Sequence, residues 1–157
     1  MALVGFVGLC LLVGAADGTV TAAGNGAWYL SLTKPPGTPP VALFAPVSTL
    51  LYLLMGTAAW LVWRQPQLPR PVVGKRAALR LWGWQLLFNA GWTPIFFDLH
   101  SPGLSLIVIL PLLGLIGLTI RAFDRIQRPA ALLLLPYALW MCYAGYLNAG
   151  FFWLNPD

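Results

Sequence analysis

The sequence predicts an all-α integral membrane bundle of five transmembrane helices, and three observations carry that prediction. The chain of 157 residues is 59% hydrophobic and only 8% charged, whereas an average soluble domain is about 25% charged. Too little polar surface remains to coat a water-soluble globule. The apolar residues fall in five runs, each long enough to cross about 30 Å of hydrocarbon as a helix. The shorter alternating segments of a β-barrel are absent. Lipid offers no partner to the backbone, so a helical bundle is the fold class that remains. The whole chain, 1–157, reads as one such domain.

The first run extends from about Ala2 to Ala23 and is interrupted by Asp17 and Gly18. Met1 to Ala16 has the look of a signal peptide. It lacks a basic leading region, however, and apolar character resumes after Asp17, so a retained span is expected. Loop 1, roughly Gly24 to Pro40, is the longest connection and contains Lys34-Pro-Pro-Gly-Thr-Pro-Pro40. Its prolines favour extended backbone and exclude a regular helix there. Trp28 and Tyr29 in the same loop suit a membrane interface. The second run is about Val41 to Trp63 and the third about Leu79 to Leu99, joined by loop 2, Arg64 to Ala78. The fourth is Leu104 to Phe123 and the fifth Ala130 to Trp153. Loop 3, around His100 to Gly103, is very short, and loop 4 spans Asp124 to Pro129.

Arg64, Arg70, Lys75, Arg76 and Arg80 flank loop 2, and Arg121, Arg125 and Arg128 flank loop 4, while loop 1 has Lys34 alone. The positive-inside rule therefore places the N-terminus in the cytoplasm of a prokaryotic plasma membrane, with loops 1 and 3 and the C-terminus outside. The net charge of +5 is spread over these short loops and forms no basic face, which excludes a nucleic-acid binder. Glu is absent. Cys10 and Cys142 both sit in apolar runs and read as small buried hydrophobes. Two isolated Cys and one His make no metal-ligand spacing, so neither a structural metal nor a disulfide is expected. No nucleophile triad, carboxylate pair or phosphate-cradling glycine loop is present. His100 could ligate a metalloporphyrin axially, although a lone interfacial His is more often solvated.

The polar residues inside the spans are the candidates for chemistry. Gln85, Asn89 and Trp92 follow i, i+4, i+7 spacing on the third span, with Trp82 on the same stripe. Amides in hydrocarbon need partners, so they form either a bond between helices or a ligand site. Pro94 removes a backbone donor and invites a kink. On the fifth span, Trp140, Tyr143, Ala144 and Leu147 share a face. That stripe reads as core packing and an aromatic belt, or as a ligand wall in which Ala144 leaves room. Ser48, Leu51, Tyr52 and Met55 share a face of the second span. Asp17 is an intramembrane acid, a functional candidate by default, but Gly18 and Thr19 follow it and suggest the headgroup level. Gly14 and Gly18 form a weak GxxxG pair.

Taken in order, these pieces resemble the TspO/MBR family, the tryptophan-rich sensory proteins related to the mitochondrial translocator protein. The resemblance covers roughly Gly14 to Asn148. It rests on Trp28-Tyr29, Lys34-Pro35, Pro39-Pro40, Leu51-Tyr52 with Gly56, then Gln85-Leu86, Asn89, Trp92, Pro94 and Phe96-Phe97, and finally Pro136-Tyr137, Trp140 and Leu147-Asn148. It implies a five-helix bundle, usually a homodimer, with a pocket roofed by loop 1 that takes porphyrins or haem and, in animal members, cholesterol. By position, Ser48, Tyr52, Gln85, Asn89, Trp92, Phe96, Trp140, Ala144 and Leu147 would line that pocket. Tyr29, Pro39 and Pro40 would belong to its lid. Two departures stand out. Gly37 occupies the place of a family Trp before the Pro-Pro of loop 1, and Ser48 that of a family Trp four residues before Tyr52. A sterol is a secondary expectation only, since no Lys or Arg follows Tyr137, Tyr143 or Tyr146 to complete the proposed sterol pattern.

The expectation is a membrane receptor or carrier for a flat hydrophobic ligand, a porphyrin or other tetrapyrrole, with no cofactor required and a regulatory or transport role. The lipid bilayer is the other partner. The alternative is a light- and oxygen-dependent porphyrin-degrading enzyme, which the missing indoles at Gly37 and Ser48 disfavour. A secondary transporter is the third reading, against which the spans show no inverted repeat and few intramembrane charges.

Overall fold

The computed structural model describes residues 1–24, 27–66 and 74–156. Every regular element among them is helical: α1 (Ala2–Gly24), α2 (Ala27–Ser31), a 3-10 turn (Val41–Leu43), α3 (Phe44–Trp63), α4 (Lys75–Phe97), α5 (Pro102–Asp124) and α6 (Arg128–Leu154). Five of these have 20 residues or more. Four stretches, Ala2–Ala23, Val41–Trp63, Pro102–Asp124 and Arg128–Leu154, are long and apolar enough to cross a membrane. Helix α4 is as long as α5, but it is not among those four. Lys75, Arg76 and Arg80 in its first turns, with Gln85 and Asn89 further on, lower its hydropathy. The expected five apolar spans thus resolve into four plus one amphiphilic long helix.

The long helices close a ring in the order α1, α3, α6, α5, α4, with α3 also meeting α4 across it. The α1–α3 contact is set by glycine. A Cβ on Gly56 would lie 2.7 Å from the Val7 Cα, so at this point α3 touches the α1 backbone itself. A buried cluster containing Cys10, Met55, Ala58, Val62, Ile109, Leu112, Ile116, Phe123 and Leu134 fills the ring's interior at one end. Outward-facing Leu12, Leu53, Leu87, Leu110 and Leu139 are exposed, as lipid-facing residues of a bundle are.

The helix ends follow local chemistry. The Ser101 hydroxyl caps α5 by accepting from the Leu104 N–H at 3.4 Å, and Pro102 begins the helix. Lys75 donates to the Trp63 and Gln65 carbonyls at 3.0 and 2.9 Å, placing a cation at the C-terminal end of α3. Pro94 stays inside α4, which runs on to Phe97. The chain then turns through His100, whose φ is 50°.

Three expectations are corrected. Asp17 and Gly18 do not interrupt α1, which continues to Gly24. A single acid does not break a helix whose neighbours favour it, so Asp17 lies well inside the element. Loop 1 is not wholly extended: residues Ala27–Ser31 form one helical turn that carries Trp28 and Tyr29. Cys10 is buried but Cys142 is exposed, because it faces outward on α6, where an apolar thiol suits lipid. Arg70, one of the loop 2 basic residues, lies outside the described residues.

Candidate functional site

A cavity of about 530 Å³ opens between α1, α3, α4 and α6, beneath loop 1. Its wall follows from the helical stripes. Ser48, Leu51, Tyr52 and Met55 come from α3, and Asn89, Trp92, Thr93 and Phe96 from α4. Trp140, Tyr143, Ala144 and Leu147 come from α6 at i, i+3, i+4, i+7. Helix α1 supplies small residues, Gly14, Ala15, Gly18 and Ala22, together with Asp17. No residue of α5 lines the space.

The aromatic rings are fixed by one another. Trp92 stacks on Phe96, with centroids 6.1 Å apart and planes 27° apart. Phe44 meets Trp140 edge-on at 5.9 Å, and Trp140 meets Tyr143 at 5.7 Å. Toward the lid, Phe96, Phe97, Phe151 and Tyr29 form a second buried cluster. Such a wall offers flat apolar faces, and aromatic pairs of this kind contribute about 0.5–1.5 kcal/mol beyond area burial.

The polar groups form a chain. Asn89 Nδ2 donates to the Tyr52 hydroxyl at 2.6 Å, and that hydroxyl donates in turn to Asp17 Oδ2. Three helices, α4, α3 and α1, are joined by it. Gly14 makes it possible: a Cβ there would lie 2.5 Å from Tyr52 Cδ2, so only glycine lets the phenol lie flat on α1. Asn148 serves a different purpose. It accepts from the Ser105 hydroxyl at 2.8 Å and donates to the Pro102 carbonyl at 3.2 Å, tying α6 to α5.

The lid is loop 1, and α6 holds it. Asn155 accepts from the Thr33 N–H at 2.8 Å and donates back to the Thr33 carbonyl at 3.1 Å. The Tyr146 hydroxyl donates to the Pro36 carbonyl at 3.1 Å, and the Tyr143 hydroxyl to that of Gly37. Pro35-Pro-Gly-Thr38 closes on itself, with the Thr38 N–H reaching the Pro35 carbonyl at 3.3 Å. Gly37 has φ 84°, the left-handed value that a type II turn demands at this position after proline. Tyr29 is buried against Phe97 and Phe151 at 5.8 and 5.6 Å, with the Lys34 ammonium 5.3 Å from its ring centre. Burial first, and the nearby Tyr143 second, push its phenol pKa up, so it presents a neutral hydroxyl. Trp28 leans on Phe96 and, at 4.4 Å, on His100.

Of the residues singled out from sequence, Tyr29, Ser48, Tyr52, Asn89, Trp92, Phe96, Trp140, Ala144 and Leu147 meet at this cavity. Three do not. Pro39 and Pro40 lie in the lid beyond the lining, with Pro40 exposed, because the Pro35–Thr38 turn is the part that docks on α6. Gln85 is fully buried one turn below Asn89, and neither of its amide atoms has a partner among the described residues. Asp17, singled out as an intramembrane acid, lines the cavity. Phe44, Thr93 and Phe151 also line it, and each lies four residues from a residue already on a stripe, Ser48, Asn89 and Leu147, so extending the stripes by one turn would have found them. His100 lies against Trp28 and does not line the space. Among the described residues no cluster of three or more His, Cys or acidic side chains could hold a metal.

The TspO/MBR family model matches residues 6–154. The chain is 41% identical to the tryptophan-rich protein TspO of Chlorobaculum tepidum, over 96% of this chain and 93% of that one. It is 35% identical to the translocator protein of Bos taurus, over 92% of this chain and 85% of the bovine one. It is 36% identical to protein CrtK of Rhodobacter capsulatus, over 83% and 80% of the two chains.

Proposed function

The chain belongs to the TspO/MBR family, and on that premise we propose that it is a membrane receptor or carrier that takes a flat hydrophobic ligand, a porphyrin or related tetrapyrrole, into the cavity beneath loop 1. The observation that carries this reading is the cavity itself. Its volume falls within the roughly 300–1,000 Å³ of small-molecule sites, and its wall is apolar and aromatic with a few convergent polar groups. Trp92 of α4 and Trp140 of α6 both line the cavity and offer flat aromatic faces to a macrocycle. In this reading all five long helices cross the bilayer, since the polar residues of α4 past Arg80 point inward at the cavity and core. The N-terminus is cytoplasmic, and two copies associate through outward apolar faces. Binding, with a sensing or transport outcome, is favoured over degradation, because Ser48 leaves one wall without an indole.

The test is quenching of intrinsic tryptophan fluorescence by a panel of porphyrins, haem and sterols. Saturable quenching by tetrapyrroles, lost on Trp140→Leu, supports the reading. A panel in which only sterols quench would replace it.

A further inference from the structure

Among the described residues, the cavity has one charged residue in its wall, Asp17, and no Lys, Arg or His. We propose that Asp17 makes this cavity a selective site for ligands that present a cation or N–H donor, and turns away ligands that bring a carboxylate inside. The proposal deepens the ligand-binding reading above and rests on it only for the existence of an occupant.

Three features support it. First, the direction of the polar chain is set. An amide nitrogen can only donate, so Asn89 Nδ2 occupies a lone pair of the Tyr52 oxygen, and the tyrosine proton goes to Asp17. Asp17 Oδ2 is therefore an acceptor, and Thr93 of the same wall brings a second hydroxyl to the carboxylate. A carboxylate offers about four acceptor positions, so others remain for a ligand.

Second, the seat is built. Asp17 is the only charged side chain between Ala2 and Gly24. One turn before it, Gly14 gives Tyr52 the space to reach it. An acid inside an apolar helix is costly unless something answers it, and a tyrosine hydroxyl answers only part of that demand. Third, Tyr137, a residue 2% exposed, lines the same cavity, and its buried hydroxyl has no partner among the described residues. A donor-bearing ligand would meet the Asp17 carboxylate there, beside a Tyr137 hydroxyl that can accept or donate. A carboxylate would meet a like charge, with no cation in the wall among the described residues to offset it.

The test uses purified full-length protein in one detergent and two flat probes of equal size, an aminoacridine cation and an acridine carboxylate, titrated by fluorescence. Wild type is expected to prefer the cation. Asp17→Asn, which keeps the shape, should reduce that preference by roughly ten- to hundredfold, the scale of one hydrogen bond to a charged group. Asp17→Glu should retain the preference, and it guards against a variant that merely misfolds. Equal preference in wild type and Asp17→Asn would overturn the proposal, as would wild-type preference for the carboxylate or binding of neither probe. The porphyrin panel fails or succeeds separately. An Asp17-dependent acridine preference without porphyrin binding would uphold this inference and defeat the tetrapyrrole reading.

Discussion

Pro35 of the lid rests on Gly150 of α6 so closely that a Cβ on the glycine would lie 2.6 Å from the proline Cβ. The ring cannot swing away as a long side chain would, so any side chain at 150 must lift the lid. Gly150→Ala should therefore leave the helix as stable or slightly more so, since alanine is favoured over glycine in helices by about 1 kcal/mol. It should also raise the ligand off-rate several-fold. Stopped-flow displacement of a bound porphyrin measures this. An unchanged off-rate with unchanged thermal stability would mean that the lid does not gate the cavity.

The two amides of α4 should behave oppositely. Asn89 bonds Tyr52 and lines the cavity, so Asn89→Leu should weaken porphyrin binding. Its stability cost should stay near 0.6 kcal/mol, the average for interhelical bonds in membranes. Gln85 is buried with neither amide atom partnered, and such groups cost roughly 1–3 kcal/mol each. Gln85→Met should leave binding unchanged and stabilise the fold. Thermal unfolding in detergent beside a binding titration separates the two. Loss of stability in Gln85→Met would reveal a partner for the amide, such as a water.

Ser48 lines the cavity beside Leu51, Tyr52 and Met55. Ser48→Trp should tighten porphyrin binding by roughly 1 kcal/mol through an added aromatic face, and should increase light-dependent loss of the Soret band. Wild type should degrade porphyrin weakly or not at all. A paired titration and illumination experiment checks both, and efficient degradation by wild type would show the indole to be dispensable. Gly37 invites no such restoration. Its φ of 84° is one that a tryptophan rarely adopts, so Gly37→Trp should disrupt the lid turn.

Orientation is testable in intact cells carrying Cys142→Ser to remove the exposed thiol. Thr38→Cys in the lid should react with an impermeant maleimide, whereas Gln67→Cys in loop 2, outside the described residues, should not. The reverse labelling pattern would place the basic loops outside, against the distribution of Lys and Arg.

Helical periodicity determined much of the site in advance. The stripe Trp140, Tyr143, Ala144, Leu147 needs only 3.6 residues per turn to share a face, and so does Ser48, Leu51, Tyr52, Met55; both stripes reach the cavity. Composition likewise determined an all-helical, membrane-suited chain. Three matters waited for tertiary structure. Asn89 and Gln85 are equivalent by spacing, yet only Asn89 is level with Tyr52 on a helix 37 residues away. Asp17 is followed by Gly18 and Thr19, which carry no signal of a cavity. Its place in the cavity depends on Gly14 admitting a tyrosine from α3. The lid's docking point is Pro35 rather than Pro39 or Pro40, because Gly150 leaves a notch for that ring alone. Periodicity is a property of one helix and can be read along the chain. Depth, level and steric room belong to pairs of helices, and only their packing decides them.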